Sequence, residues 1–280
     1  MTCCARRGYS DSPADRVLSA ADQERPISVS VLSGARRVLL VHAHPDDETL
    51  ATGALIAELV ERGVEVRVVT ATRGERGELT PAVSGVEPGS DQLVALREGE
   101  LASALRVLGV AGHAFLGSPP ARAAGETQER TYRDSGMRWI TETVAGPAED
   151  ADDESLTAAE LSDAVADLEA YVDAIGPEVL ISYDENGGYG HPDHVRTQEI
   201  TREVAKIRGL PMLEVIPPDR EVGGDLDRIE WSDLSAHLPS VREALRAHAS
   251  QLTVDGDEVV HVGGQREPIV TRIGLRPVEL

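Results

Sequence analysis

Two short segments of this chain carry residues whose types and spacing suit hydrolytic metal chemistry. The first is His44-Pro45-Asp46-Asp47-Glu48 and the second is His191-Pro192-Asp193-His194. Histidine and carboxylate are good ligands for zinc, and a spacing of three residues puts His44 and Asp47 on one side of a turn. His194 completes a set of two imidazoles and one carboxylate that leaves a coordination position open, as a catalytic rather than a structural site does. Asp46, next to ligand Asp47, is placed to take a proton from water. Tyr189 and His191 share the loop of His194 and could stabilise an oxyanion. Asp193 could orient a neighbouring histidine by accepting from its ring. Blander readings exist for each: Asp46, Asp47 or Asp193 as plain helix caps, and 187–194 as a glycine-rich turn with two surface histidines. The two segments together favour one divalent ion per chain, Zn2+ or Fe2+.

Such a site needs a scaffold that brings residues near 44 and 191 together. Val38-Leu39-Leu40-Val41 is a short, continuously apolar run, as in a strand buried on both faces. A helix is expected from about 48 to 62, closed by Gly63, and then a strand over 64–70. Ser90 or Asp91 can cap a helix that Gly109 ends, and a short strand is plausible at 113–116. Residues 117–154 read as loop. Thr157 and Glu160 match a capping box for a helix running to Ile175. Val179-Leu180-Ile181-Ser182-Tyr183 reads as a buried strand, followed by a helix over about 195–207. Beyond it, 212–216 and 258–262 suggest strands and 239–252 a helix.

This alternation implies an α/β fold, a Rossmann-like mostly parallel sheet with helices on both faces. Ligands of such sheets bind at the carboxyl ends of the strands, where the segments after 41 and 183 would converge. The expected organisation is a disordered extension over 1–34 and a single domain over 35–280. Within that domain a core spans 36–209 and a smaller C-terminal part spans 210–280.

Composition narrows the class. The formal net charge of −22 argues against nucleic acid and anionic membrane surfaces as partners. Cys3 and Cys4 are the sole cysteines and are adjacent, which excludes a disulfide framework and favours a reducing, cytoplasmic setting. No apolar run approaches the roughly 20 residues that span a bilayer. The glycines near 187 form no dinucleotide fingerprint, so a nucleotide-dependent oxidoreductase is disfavoured. A non-catalytic metal- or sugar-binding protein is the rival of another class, and a base beside the ligands argues against it. Oligomeric state is not legible.

The motifs His44-Pro45-Asp46-Asp47-Glu48 and His191-Pro192-Asp193-His194 resemble the two signatures of the zinc-dependent N-acetylglucosaminyl-phosphatidylinositol deacetylase-like superfamily. Residues 183–194 are similar to its mycothiol branch, which holds deacetylases and S-conjugate amidases. The resemblance covers about 36–200, and Arg246-Ala247-His248-Ala249-Ser250-Gln251 also looks familiar. It implies His44, Asp47 and His194 as zinc ligands, Asp46 as general base, and His191 and Tyr189 at the oxyanion. It further implies Glu75, Arg97 and Asp134 lining a sugar and inositol pocket, with Asn186 offering a polar group. Without the resemblance, Glu75 reads as a solvated charge, Arg97 as a helix-surface ion-pair partner and Asp134 as a turn residue. Leu50, Arg133-Asp134-Ser135-Gly136-Met137 and Gly190 point to deacetylase rather than amidase. The implied reaction releases acetate and a free amine from an N-acetylglucosamine–inositol conjugate. The part after Gly209 is short and poor in aromatic residues for that branch, which leaves room for another acetylated sugar.

Overall fold

The computed structural model describes residues 32–126, 128–141, 144–149, 151–218 and 226–280. The expected extension over 1–34 falls almost wholly outside them. Its last three residues form a turn, and Leu32 is buried among the apolar side chains under the sheet, so packing begins four residues before Arg36.

The first half of the chain alternates as its apolar runs dictate. In order come β1 (Arg37–His42), α1 (Asp47–Glu61), β2 (Glu65–Thr70), α2 (Asp91–Leu108) and β3 (Gly112–Phe115). Ser90 caps α2 by accepting from the Leu93 amide, and Gly109 closes it in the left-handed region. The stretch read as loop contains a small hairpin, β4 (Met137–Trp139) and β5 (Ala145–Pro147). Three-residue strands carry no usable period, which hides them from pattern reading.

Next come α3 (Leu161–Ile175), β6 (Val179–Tyr183), the one-turn α4 (Gly187–Gly190), α5 (Pro192–Arg208) and β7 (Met212–Ile216). The capping box expected at Thr157 does not form. Its hydroxyl and amide both donate to Ser135 Oγ, at 2.9 and 3.2 Å, and the helix starts only at Leu161. Helix α5 starts earlier than expected, with Pro192 in its first turn and His191 as N-cap.

The chain ends with β8 (Glu230–Asp233), α6 (Leu238–Leu245), β9 (Leu252–Asp255), β10 (Glu258–His261), β11 (Arg266–Pro268) and β12 (Arg272–Pro277). The main sheet has the order β3-β2-β1-β6-β7-β12-β8. Strands β3 through β7 in that order run parallel, while β12 is antiparallel to both of its neighbours. Strands β9 to β11 form a separate antiparallel sheet.

Alternate side chains of each strand face opposite layers. Val38, Leu40, Val66, Val68 and Ile181 pack with α1, α2 and α6, while Leu39, Val41, Val69 and Leu180 pack with α3 and α5. Each such Val or Leu contributes roughly 1.5–3 kcal/mol by leaving water. The C-terminal segment packs into the same sheet and core. β12 completes the main sheet and α6 packs on α1 and α2. Arg276 of β12 is buried and pairs with Glu214 of β7 at 2.8 Å.

Strand order reverses direction between β1 and β6. The loops leaving these two neighbours diverge to opposite sides, and this is the crevice where open α/β sheets bind ligands.

Candidate active site

Strand β1 ends at His42 and delivers His44, Asp46 and Asp47 into the crevice; β6 ends at Tyr183 and delivers the loop carrying Tyr189, His191 and His194. Residues separated by about 150 positions meet there.

Oδ2 of Asp47 lies 3.2 Å from Nδ1 of His44 and 3.3 Å from Nε2 of His194. Hydrogen bonds fix the tautomers. Nδ1 of His194 faces the Gly187 carbonyl at 3.2 Å, which can only accept, so that nitrogen carries the proton. Nε2 of His194 then presents a lone pair, and it is buried without a hydrogen-bond partner. Nε2 of His44 faces Oδ2 of Asp193 at 3.1 Å, which leaves Nδ1 toward Asp47. Donor atoms about 2.0–2.1 Å from a tetrahedral metal stand about 3.3 Å apart. The His44–Asp47 and Asp47–His194 spacings fit that figure, and a cation would meet the buried lone pair of His194 Nε2.

Two other groups of donors are close. Ring nitrogens of His44, His191 and His194 lie within 4.8 Å of one another, as do donor atoms of His44, Asp134, His191 and Asp193. Apart from Nε2 of His194, donors in these groups already have protein partners. Nδ1 of His191 accepts from the Asp193 amide at 3.1 Å, Asp193 accepts from Ser135, and Asp134 accepts from the Gly136 amide.

Charge in the crevice follows from burial and neighbours. Burial opposes a charge on His44, but Asp134, Asp193 and Asp47 outweigh it and hold the ring well above its ordinary range. A bound cation would displace that proton. Burial also raises Asp47, yet His194 and His44 outweigh it and keep its carboxyl well below the usual value. His191 is pushed far down by burial, with the charge of His44 adding to it, so it is neutral. With Nδ1 accepting, its Nε2 carries a proton that it can donate.

Asp46 adopts φ 116°, the one positive φ outside glycine among the described residues. Its carboxyl is pushed up to about 6 by burial, against the pull of Arg97 and with a further push from Asp47. Its Oδ2 lies 3.1 Å from Nη2 of Arg97. Arg97 is 3% exposed and also donates to the carbonyls of Gly74 and Pro45. These contacts tie the guanidinium to the loop after β1 and hold it against the Asp46 carboxylate.

Glu75 and Asp134 are buried beside one another, with the Asp134 amide donating to Oε2 of Glu75 at 3.0 Å. Oδ1 of Asp134 lies 3.7 Å from Nε2 of His44, at the floor of the crevice. Asn186 is exposed just before α4 and makes no cap bond. The Tyr189 ring stands 5.1 Å from that of His194 and 6.0 Å from that of His191. Trp139, half exposed, lies against Tyr189 at 5.8 Å and brings β4 to the rim. A Cβ on Gly190 would stand 2.9 Å from the Ala145 carbonyl, so the loop can lie under the hairpin only as glycine.

Sequence reasoning missed Tyr183 and Trp139. Tyr183 looks like a core aromatic, but its hydroxyl donates to Oδ2 of Asp47 at 2.8 Å and accepts from the Ala43 amide. Its position as the last residue of a buried strand, beside the crevice, was the available signal. Trp139 sits on a three-residue strand and gave none.

Comparison with known proteins agrees with the geometry. The profile of the GlcNAc-PI de-N-acetylase (PIG-L) family matches residues 39–205, more than half of the chain. A 1D-myo-inositol 2-acetamido-2-deoxy-alpha-D-glucopyranoside deacetylase of Kineococcus radiotolerans is 35% identical, over 88% of this chain and 77% of its own. One from Mycobacteroides abscessus is 38% identical, over 79% of this chain and 84% of its own. Among solved structures, the N,N'-diacetylchitobiose deacetylase from Pyrococcus horikoshii has the same fold, with TM-score 0.53 and 21% identity over 81% of this chain and 73% of its own. Among the described residues no helix is long and apolar enough to cross a membrane. A family match over more than half of the chain, joined by relatives at 35% and 38% identity along most of its length, places the chain in the PIG-L family of hydrolytic N-deacetylases.

Proposed function

We propose that this chain hydrolyses the acetamide of an N-acetylglucosaminyl-inositol conjugate, giving acetate and the free amine. One Zn2+ held by His44, Asp47 and His194 would serve it. The observation that carries the reading is the convergence of His44 Nδ1 and His194 Nε2 on Asp47 Oδ2, with Asp46 next in the chain. The relatives named as inositol-conjugate deacetylases support the choice of substrate.

When bound, the cation would polarise the acetyl carbonyl and acidify water in the crevice. The protein's own residues do the rest. Asp46, ionised, takes a proton from the attacking water and returns it to the departing amine. Arg97 keeps that carboxylate ionised and pointed. Neutral His191 donates from Nε2 to the developing oxyanion, and Tyr189 stands beside it as a second donor. Asp193 fixes the ring of His44 through Nε2. Glu75, Asp134 and Asn186 would meet the sugar hydroxyls, with Trp139 at the rim against a ring face.

The test is acetate release by the metal-stripped protein reloaded with Zn2+ or Fe2+. The panel is the inositol conjugate, free N-acetylglucosamine and a mycothiol S-conjugate. The inositol conjugate should lead in kcat/KM. Asp46→Asn should lower kcat by about 10²–10⁴-fold while keeping the metal. Absence of acetate from every acetylated sugar, with metal bound, sinks the reading.

A further inference from the structure

Beyond the residues that line the crevice, one buried charged pair has no role in the chemistry above. Glu48 is fully buried and His248 is 1% exposed, and Nε2 of His248 meets Oε1 of Glu48 at 3.0 Å. The other oxygen, Oε2, accepts the backbone N–H of Asp46 at 3.0 Å. That amide belongs to the one non-glycine residue with positive φ among the described residues. Such a conformation persists only where its surroundings over-determine it.

The turn carrying His248 is itself anchored. The amide and hydroxyl of Ser250 donate to the two carboxylate oxygens of Glu100 at 2.8 and 2.6 Å, and Thr80 donates to the Ala249 carbonyl at 2.7 Å. Glu100 lies one helical turn beyond Arg97 on α2, and Arg97 holds the Asp46 carboxylate. One helix thus steadies the base twice, directly at its side chain and, through Ser250, His248 and Glu48, at its backbone.

We propose that Glu48 and His248 are a positioning pair that holds Asp46 in its left-handed conformation, so that the C-terminal segment is part of the catalytic machinery. The proposal rests on the reading of Asp46 as base. A role in stability alone accounts poorly for the pair. Buried ion pairs add little over apolar residues of the same size, and Nδ1 of His248 is left buried without a partner. The PIG-L match stops at residue 205, so His248 reaches the site from outside it.

Three variants test this in the zinc-loaded full chain. His248→Gln keeps an N–H near the position of Nε2; His248→Asn and His248→Ala do not reach Glu48. Asn and Ala should lower kcat on the acetylated amino sugar by about 10–100-fold, with KM within about twofold. Zinc stoichiometry should stay unchanged, and Gln should recover most of the loss. Crystal structures should show Asp46 leaving φ 116° in Asn or Ala and keeping it in Gln and wild type. If Ala does not fold, Asn against Gln makes the same comparison. The proposal is overturned if Asp46 keeps its φ in Asn or Ala, or if Gln is as slow as Ala. A wild-type protein that hydrolyses no acetylated sugar would remove the functional reading instead, and the backbone of Asp46 would still judge the pair.

Discussion

The hydroxyl of Tyr183 stands 2.8 Å from Oδ2 of Asp47 and at the same distance from the Ala43 amide. It ties the end of β6 to the loop after β1 and fixes the carboxylate between His44 and His194. Tyr183→Phe removes that donor without emptying the space. Metal affinity should fall about 10–100-fold, as it does when an outer hydrogen bond to a ligand is lost. Stability should fall by about 1–3 kcal/mol because the Ala43 amide loses its acceptor. Competition with a chromophoric chelator measures the first effect. Unchanged affinity would show that Tyr183 only fills space.

Zinc should stabilise the folded chain through the same three residues. At free zinc about a hundredfold above Kd, linkage adds about 2.7 kcal/mol. For a chain of this size that raises Tm by roughly 5–10 °C. In His194→Ala the buried lone pair at Nε2 is gone, and most of the rise should vanish. An equal rise in wild type and variant would place the cation elsewhere.

Much of this scaffold was legible in the sequence because β1 and β6 are buried on both faces, so their apolar runs are unbroken, and because the helices between the strands carry apolar stripes. β12 was not, because Arg272 and Arg276 interrupt its pattern; Arg276 is buried and needs Glu214 across the sheet to be tolerated. The motif residues His44, Asp46, Asp47, His191 and His194 do meet, since strand ends in an α/β sheet converge whatever their separation. Arg97 reads locally as a charge on a helix surface, yet it is buried against Asp46, a partner 51 residues away. Glu48 closes the first motif, but its partner lies 200 residues on, beyond any local signal.

The pH profile should follow Asp46. Its carboxyl is raised to about 6 in the folded protein, from an ordinary 3.8, by burial. As pH falls through that value the base takes up a proton, so kcat/KM should drop on the acid side. Arg97 opposes the shift, so Arg97→Gln should move the acid limb upward by about one unit or more. Arg97→Lys keeps the charge and should move it less. Activity lost in Arg97→Gln at pH 7 should partly return at pH 8.5. A limb that stays put or moves down in Arg97→Gln contradicts the assignment of Asp46 as base.

Gly74 offers a way to displace Arg97 without deleting it. Its φ is +66°, and a Cβ there would overlap the Arg97 guanidinium. Gly63 has φ +79° and open space around its missing Cβ. Alanine at either site costs about 1–2 kcal/mol for the left-handed backbone. Only Gly74→Ala also pushes the guanidinium off Asp46. Both variants should therefore lose similar stability from backbone strain, with a further loss in Gly74→Ala, while only Gly74→Ala shifts the acid limb upward. Combining Gly74→Ala with Arg97→Gln should shift the limb no further than Arg97→Gln alone, because both act through one contact. Matching pH profiles for Gly74→Ala and Gly63→Ala would mean that Arg97 reaches Asp46 without the space the glycine leaves.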